Sequence, residues 1–160
     1  MIDRPTPLRV VSGGQTGADR AALDAGMARD LPVGGWCPAG RWAEDGPINA
    51  RYPLRETAGP DPAERTRLNV RDSDATLVLA PGGVGGGTAL TVGTARALGR
   101  PLLVVPPRPD AVGGVVAWLR EHDVRTLNVA GPRESEAPGL YADALAFVGA
   151  LLDWVGGAPT

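Results

Sequence analysis

The chain has 160 residues, of which 43% are hydrophobic and 21% charged, and its formal net charge is −2, as expected for a globular domain with one buried core. Every basic residue is Arg, so lysine-dependent chemistry such as Schiff-base formation or a P-loop phosphate site is excluded. A single Cys and a single His exclude an intrachain disulfide and a zinc site, and no basic stripe points to nucleic acid as a partner.

The sequence also bears on location. No apolar run approaches the ~20 residues that cross a bilayer. No basic start followed by an apolar stretch indicates a signal peptide. We therefore expect a cytoplasmic protein with no membrane partner.

Short apolar runs alternate with stretches of helical periodicity along the chain. In chain order, strands are predicted at residues 8–11, 33–37, 54–57, 75–80, 102–105 and 126–130, and helices at residues 18–30, 62–72, 88–98, 111–122 and 140–155. The second helix has the clearest start, because Asp61 is an N-cap, Pro62 takes the first helical position and Glu64 follows three residues after the cap.

This alternation predicts the fold class. Near-continuous apolar strands between helices are typical of an α/β fold whose mainly parallel sheet carries helices on both faces. We expect a single Rossmann-like, doubly wound domain over residues 1–160, with only residues 1–7 and 156–160 frayed.

Two glycine-rich segments each follow a predicted strand and lead into a predicted helix: the first glycine loop (residues 12–17) and the second glycine loop (residues 81–88). Glycine lets backbone N–H groups approach a ligand, and a helix N-terminus adds partial positive charge, so such loops suit phosphate. The alternative is a tight turn without a ligand, and neither loop follows the G-x-G-x-x-G pattern. The residues assigned to phosphate binding are Ser12, Gly13, Gly14, Gln15, Thr16 and Gly17, and Gly82, Gly83, Gly85, Gly86, Gly87 and Thr88.

Charged residues close to these loops extend the candidate site. Asp19 either favours the helix dipole or accepts hydrogen bonds from an amino-bearing ring, and Arg20 is placed on a phosphate. After the last strand, Asn128, Glu134 and Ser135 are assigned to the ligand together with Arg133, the best candidate for a bidentate contact. The alternative for Arg133 is a surface ion pair with Glu134 or Glu136.

The long loop at residues 36–48 is rich in functional groups, which favours a binding role. Trp36, Glu44 and Asp45 are candidate contacts to a flat ring, although Trp36 could instead lie in the core and Trp42 on the surface. Cys37 is interpreted as a small buried residue, with a contact to a metal centre as the alternative. His122 is interpreted as a helix C-terminal residue away from the ligand.

Several longer stretches carry a resemblance. They are VSGGQTGADRAALD at residues 11–24, GWCP at 35–38, AEDGPI at 43–48, YPLRE at 52–56, RTRLNVRDSDATL at 65–77 and LNVAGPRES at 127–135. In these stretches the chain resembles the molybdenum cofactor carrier family, part of a Rossmann-like superfamily that includes the Lonely Guy phosphoribohydrolases. The resemblance implies a homo-oligomer, dimer or tetramer, that binds a phosphorylated pterin holding molybdenum and passes it to molybdoenzymes.

The comparison with Lonely Guy enzymes bears on catalysis. Arg65 stands nine residues before Asp74 as in their pattern, and Pro81-Gly82-Gly83-x-Gly85 follows, but Thr91 stands where the pattern has Glu. Thr can neither stabilise an oxocarbenium-like centre nor activate water at neutral pH. We therefore expect a carrier of the molybdenum cofactor (molybdopterin) with Arg65 near its phosphate, and assign no catalytic or metal-ligating residue. The alternatives are a Lonely Guy-like nucleoside-monophosphate phosphoribohydrolase and a nucleotide-sensing regulatory domain.

Overall fold

The central sheet consists of five parallel strands in the computed structural model, which describes residues 7–156. They are β1 (Arg9–Val11), β2 (Val33–Gly34), β5 (Ala75–Leu79), β6 (Leu102–Val105) and β7 (Thr126–Ala130), in the order β2-β1-β7-β5-β6. β3 (Trp36–Cys37) and β4 (Arg55–Glu56) form a second, two-stranded parallel sheet. The expectation of frayed ends falls, except for Pro7 and Gly156, outside the described residues.

Helices cover both faces of the central sheet. One face carries α1 (Ala18–Ala28), α4 (Val112–Glu121) and α5 (Leu140–Val155), and the other carries α2 (Pro62–Arg71) and α3 (Gly86–Ala97). The predicted α/β class with a parallel, doubly wound sheet is therefore confirmed. No helix in the part of the chain that the structure describes is long and apolar enough to cross a membrane.

The two faces of the central strands differ in chemistry. Leu77 and Leu79 of β5 and Leu127 and Val129 of β7 are fully buried in the main core with α1, α4 and α5. Because side chains alternate along a strand, Asn128 points to the opposite face, where its Nδ2 donates to Thr76 Oγ1 at 3.3 Å. A buried polar pair thus lies beneath α2 and α3.

The segment at residues 33–37 is not the single strand that its sequence predicts. The chain turns at Gly35, where φ is 128°, and a β-carbon there would lie 2.2 Å from the carbonyl oxygen of Ser12. β2 therefore joins the central sheet while β3 leaves it to pair with β4. Only glycine fits this backbone geometry and this close approach.

Other boundaries agree with the sequence to within a few residues. Asp61 caps α2, its Oδ1 accepting from Ala63 N at 2.9 Å, as predicted. α3 begins at Gly86, two residues before the predicted start, so two glycines lie in its first turn. A 3₁₀ turn at Pro109–Ala111 precedes α4, which begins at Val112, one residue after the predicted start.

The strand order determines which loops meet. β7 lies between β1 and β5, and all three strands are parallel. Their carboxyl ends therefore share one edge of the sheet, and the two glycine loops flank the segment that follows β7. In doubly wound folds this edge is where ligands bind.

Candidate ligand-binding site

A cavity of about 450 Å³ opens at this edge, on the side of α2 and α3; we call it the first cavity. The first glycine loop, α2, α3 and the end of β7 all contribute to its wall. Its lining includes Gly13, Gln15, Asp19, Trp42, Asp61, Arg65, Thr66, Asn69, Gly87, Thr88, Thr91, Asn128, Arg133 and Glu136. A volume of this size is typical of small-molecule sites.

Buried polar side chains with unused hydrogen-bonding groups line the first cavity. Gln15, Asp19 and Asn128 are 7%, 7% and 3% exposed. Gln15 Oε1 accepts from the N–H groups of Thr16 (3.0 Å) and Glu44 (2.9 Å), which fixes the amide orientation. No acceptor for Gln15 Nε2 lies among residues 7–156.

Asp19 also has hydrogen-bonding capacity that the protein does not use. Its Oδ2 accepts from Gln15 N at 3.4 Å and the Gly13 N–H group also contacts the carboxylate, which leaves further acceptor positions of the carboxylate, on Oδ1, without a partner among the described residues. Every side-chain nitrogen or oxygen atom of residues 7–156 that is sealed from solvent has a partner, so the free Gln15 Nε2 and Asp19 Oδ1 atoms are reached through the cavity. Buried groups of this kind are normally satisfied, and a ligand can satisfy them here.

The protonation of Asp19 is perturbed. Burial raises its pKa from 3.8 to about 6, and the Arg65 guanidinium and the Gln15 N–H partly oppose this rise. Arg65 itself lies over Gly13 and donates from Nη1 to the Gly13 carbonyl oxygen at 3.0 Å. The carboxylate and the guanidinium are therefore both presented to the first cavity.

In the first glycine loop, predicted as an anion nest, side chains of the same loop and helix already accept from three of the N–H groups. Gly14 N donates to Ser12 Oγ (3.3 Å), Gln15 N to Asp19 and Thr16 N to Gln15. Leu54 and Ile48 also cover Gly14. Those three N–H groups are therefore used within the protein, and Gln15 of this loop lines the cavity.

The second glycine loop is arranged differently. The N–H groups of Gly86 and Gly87 at the start of α3 donate to no acceptor in the described part of the chain, and Thr88 N donates to Gly85 O at 3.1 Å. Gly87 and Thr88 line the first cavity. The other assigned glycines, Gly82, Gly83, Gly85 and Gly86, are exposed and lie outside its lining.

Arg133 stands at the rim of the first cavity. Its Nε donates to Glu136 Oε1 at 3.0 Å, so the ion pair named as its alternative role is present. Its Nη groups have no partner among residues 7–156. The Arg133 side chain is 44% exposed, and its guanidinium can contact a ligand while it remains paired.

A shallower second cavity, of about 750 Å³, lies on the other side of the first glycine loop. Glu44 links two of the segments that line it. Glu44 Oε2 accepts from Thr16 Oγ1 and from Ser135 N (3.1 Å), and Glu44 Oε1 accepts from Ser135 Oγ. These hydrogen bonds hold the pKa of Glu44 below its usual range. Glu44, assigned to ring contact from sequence, thus joins the long loop, the first glycine loop and the segment after β7.

Several predicted ligand contacts have partners within the protein. Arg20 forms two hydrogen bonds with the Asp45 carboxylate, at 3.0 and 3.1 Å, rather than facing the first cavity. Glu134 accepts from Gly139 N and Tyr141 N, both at 2.8 Å, and so caps α5. Ser12 is sealed inside the first loop, where its Oγ donates to the Asp19 carbonyl oxygen at 2.8 Å.

Of the two Trp side chains of the long loop, Trp42 is exposed, as in the alternative considered from sequence, and Trp36 is half-buried rather than a ligand contact. Trp36 lines neither cavity; its Nε1 donates to Asp72 Oδ2 at 2.9 Å, and Arg55 lies 4.4 Å from its ring centre. Trp42 is 48% exposed and lines the first cavity. The flat surface available to a ligand ring is therefore Trp42.

The remaining candidates lie away from the site. Cys37 is fully buried against Leu23 and Tyr52, and burial raises its pKa. His122 follows α4 and is exposed. Among residues 7–156, no group of three His, Cys, Asp or Glu side chains is placed to hold a metal ion.

Sequence reasoning missed some members of both cavities. Asn69 and Thr66 of α2 reach the first cavity at helical spacing, a signal that could have been read from the sequence. In the second cavity, Asp24 accepts from Tyr52 Oη (2.6 Å) and Tyr141 Oη (2.5 Å). Tyr141 is far from Asp24 in sequence, so no local pattern predicts that contact.

Comparison with known families agrees with this architecture. Residues 10–152 match the Circularly permutated YpsA SLOG family. The chain belongs to that family. No match is found among curated proteins.

A solved structure is similar to this SLOG-family chain over most of its length. It is the crystal structure of a "Putative molybdenum carrier protein" from Syntrophus aciditrophicus SB, with 38% sequence identity and a TM-score of 0.89. The match covers 94% of this chain and 98% of the Syntrophus chain. The resemblance to the molybdenum carrier family noted from sequence is thereby confirmed.

Proposed function

We propose that this protein binds a phosphorylated, ring-containing small molecule in the first cavity, and that this molecule is the molybdenum cofactor, held as cargo for molybdoenzymes. The observation that carries the proposal is the placement of free, buried hydrogen-bonding groups beside a helix N-terminus within one 450 Å³ cavity. The name of the Syntrophus protein supports the choice of ligand.

The phosphate end of the ligand is assigned to α3. The free N–H groups of Gly86 and Gly87 and the helix dipole attract an anion, and the Thr88 hydroxyl and the Arg133 guanidinium add donors. A phosphate monoester makes good use of such donors because each of its oxygens accepts hydrogen bonds.

The ring end is assigned to the opposite wall. Gln15, Asp19 and Asn128 offer donor and acceptor groups in a buried setting, and Trp42 offers a flat face at the rim. The pterin of the molybdenum cofactor is a flat polar ring and fits this combination. The molybdenum travels as part of the cargo.

Native mass spectrometry tests the proposal. The protein is produced in a host that synthesises the cofactor, purified gently and sprayed intact. We expect an adduct with the mass of molybdopterin, with or without molybdenum, that is lost in a Gly87→Val variant. A protein that stays free of adduct after incubation with isolated cofactor would contradict the proposal.

A nucleoside-monophosphate hydrolase is the second candidate, and Asp19 is the observation that favours it. Thr91 occupies the position where Lonely Guy enzymes have Glu, yet the Asp19 carboxyl group reaches the same cavity with a pKa of about 6. Release of free base from nucleoside monophosphates, lost in Asp19→Asn, would support this candidate. If no free base is released at high protein concentration, the hydrolase candidate is excluded and the carrier function is retained.

A further inference from the structure

Gln15 and Asp19 form a fixed donor–acceptor pair at the wall of the first cavity. Gln15 N donates to Asp19 Oδ2 at 3.4 Å, which holds the two residues together. Gln15 Oε1 is occupied by two backbone N–H groups, so only the Nε2 donor is left for the cavity. Asp19 leaves Oδ1, an acceptor, and both side chains are more than nine-tenths buried.

A neighbouring donor and acceptor are complementary to a ring edge that carries a carbonyl oxygen beside an N–H group. That lactam edge occurs in pterins and in guanine, where an exocyclic amino group adds a second N–H toward the carboxylate. Adenine presents the reverse pattern, an amino donor beside an acceptor ring nitrogen. Turned over, adenine can set its ring nitrogen against Nε2 and its amino group against the carboxylate, but it then offers the carboxylate only one donor group, where guanine offers two.

We propose that Gln15 and Asp19 select ligands with a 2-amino-oxo-pyrimidine edge, as in pterins and guanine, and reject adenine. Gln15 Nε2 donates to the ring carbonyl oxygen, and Asp19 accepts from the ring N–H and the amino group. This inference rests on the proposed function of the first cavity, and it names the ring that the cavity takes.

The role of Asp19 in holding the first glycine loop does not account for its unpaired Oδ1 atom. The N–H groups of Gln15 and Gly13 bind only part of the carboxylate, and a buried carboxylate is costly when its remaining acceptor positions are not used. A site built to hydrogen-bond a particular N–H group rejects analogues that lack it much more strongly than an apolar pocket does. Selectivity is therefore the property to measure.

The test is titration calorimetry with guanosine 5′-monophosphate, inosine 5′-monophosphate, adenosine 5′-monophosphate and ribose 5-phosphate. We expect the guanosine nucleotide to bind at least about 30-fold more tightly than the inosine and adenosine nucleotides, as for one lost hydrogen bond to a charged group. Equal affinity for the guanosine and adenosine nucleotides, with ribose 5-phosphate also binding, would overturn the ring assignment and leave the phosphate site intact. Absence of binding by all four would overturn both.

Variants separate selection from structure. Asp19→Asn should reduce the guanosine-to-adenosine ratio to about threefold or less, because an amide no longer requires N–H groups opposite it. Gln15→Glu keeps an oxygen that accepts from the N–H groups of Thr16 and Glu44 but replaces the Nε2 donor with a second oxygen. This variant should bind guanosine 5′-monophosphate about tenfold more weakly. Asp153→Asn, at the exposed ion pair with Arg29, is the control and should leave the ratio unchanged. A ratio that both cavity variants preserve would overturn the proposal.

Discussion

Asp19 destabilises the ligand-free protein at neutral pH, because its carboxylate is buried. Its pKa rises from 3.8 to about 6 on folding, so the folded protein binds this proton more tightly than the unfolded chain does. The stabilisation from Asp19 is therefore complete below about pH 3.8 and is lost as the pH rises through 6. Above that range Asp19 is a buried carboxylate, and a bound ligand can donate the hydrogen bonds that the protein does not supply.

Asp19→Asn should accordingly stabilise the protein at pH 7.5, by up to about 3 kcal/mol, and have little effect near pH 4. Urea unfolding of both proteins at several pH values measures the difference. A difference that does not change with pH would show that the carboxyl group titrates normally. The same variant should bind guanosine 5′-monophosphate less well, so that stability rises while binding falls.

Glu136 competes with an anionic ligand in the unliganded protein. Its Oε1 is paired with Arg133 Nε, and its Oε2 lies 3.4 Å from the position that a β-carbon would take on Gly86, at the start of α3. A carboxylate in this place is stabilised by the helix dipole, as a phosphate would be.

Glu136→Gln should therefore increase affinity for ribose 5-phosphate about threefold to tenfold, since it removes a negative charge and releases Arg133. Calorimetry at low ionic strength measures the change, and the effect should shrink as salt is added. Glu121→Gln, at the far end of α4, serves as the control for net charge. Equal changes in both variants would show that only the overall charge matters.

At the scale of elements, α3 is the part of the site most open to direct test. Gly87 and Gly93 lie in the same helix, and a β-carbon would meet nothing within 4 Å at either position, but only Gly87 lines the first cavity. Both substitutions to Val change intrinsic helix propensity alike.

Gly87→Val should lower affinity for ribose 5-phosphate at least about tenfold by filling the approach to the helix N-terminus, a loss of about 1.4 kcal/mol. Gly93→Val should bind as the unaltered protein does. Circular dichroism and thermal unfolding show whether both variants keep the fold. If both bind normally, the phosphate does not lie at the start of α3.

The sequence predicts most elements and fewer of the contacts. Apolar runs and the Asp61 cap predict β5, β7 and α2 to within a residue or two, because burial and capping act locally. The break at Gly35 depends on the carbonyl of Ser12, which only the folded chain brings close.

The contacts of the candidate site are also harder to predict from sequence than its position. Glycine spacing predicts two exposed turns, but in the first turn Asp19, Ser12 and Gln15 fold back onto the N–H groups. A local sequence pattern cannot distinguish a free amide from one that a side chain four residues away already occupies. The role of Glu44 likewise depends on Ser135, which is distant in sequence.

At the scale of the whole molecule, the central strand β7 contributes more to stability than the edge strand β6. Leu127 is fully buried between two neighbouring strands, whereas Leu103 on the outermost strand is only half-buried. Leu127→Ala should lower the free energy of unfolding by about 2–5 kcal/mol, and Leu103→Ala should cost clearly less. Urea unfolding compares the two, and similar losses would contradict the difference in burial.

The position of β7 also bears on how the protein is made. Ribosomes deliver β1 and β5 long before residues 126–130 emerge, yet those two strands have no direct pairing with each other and meet only through β7. The nascent chain therefore carries two strand edges that stay unpaired until its last quarter has been translated, and such edges invite aggregation. Synthesis that stalls between α4 and β7 leaves a product with neither a complete central sheet nor a binding cavity.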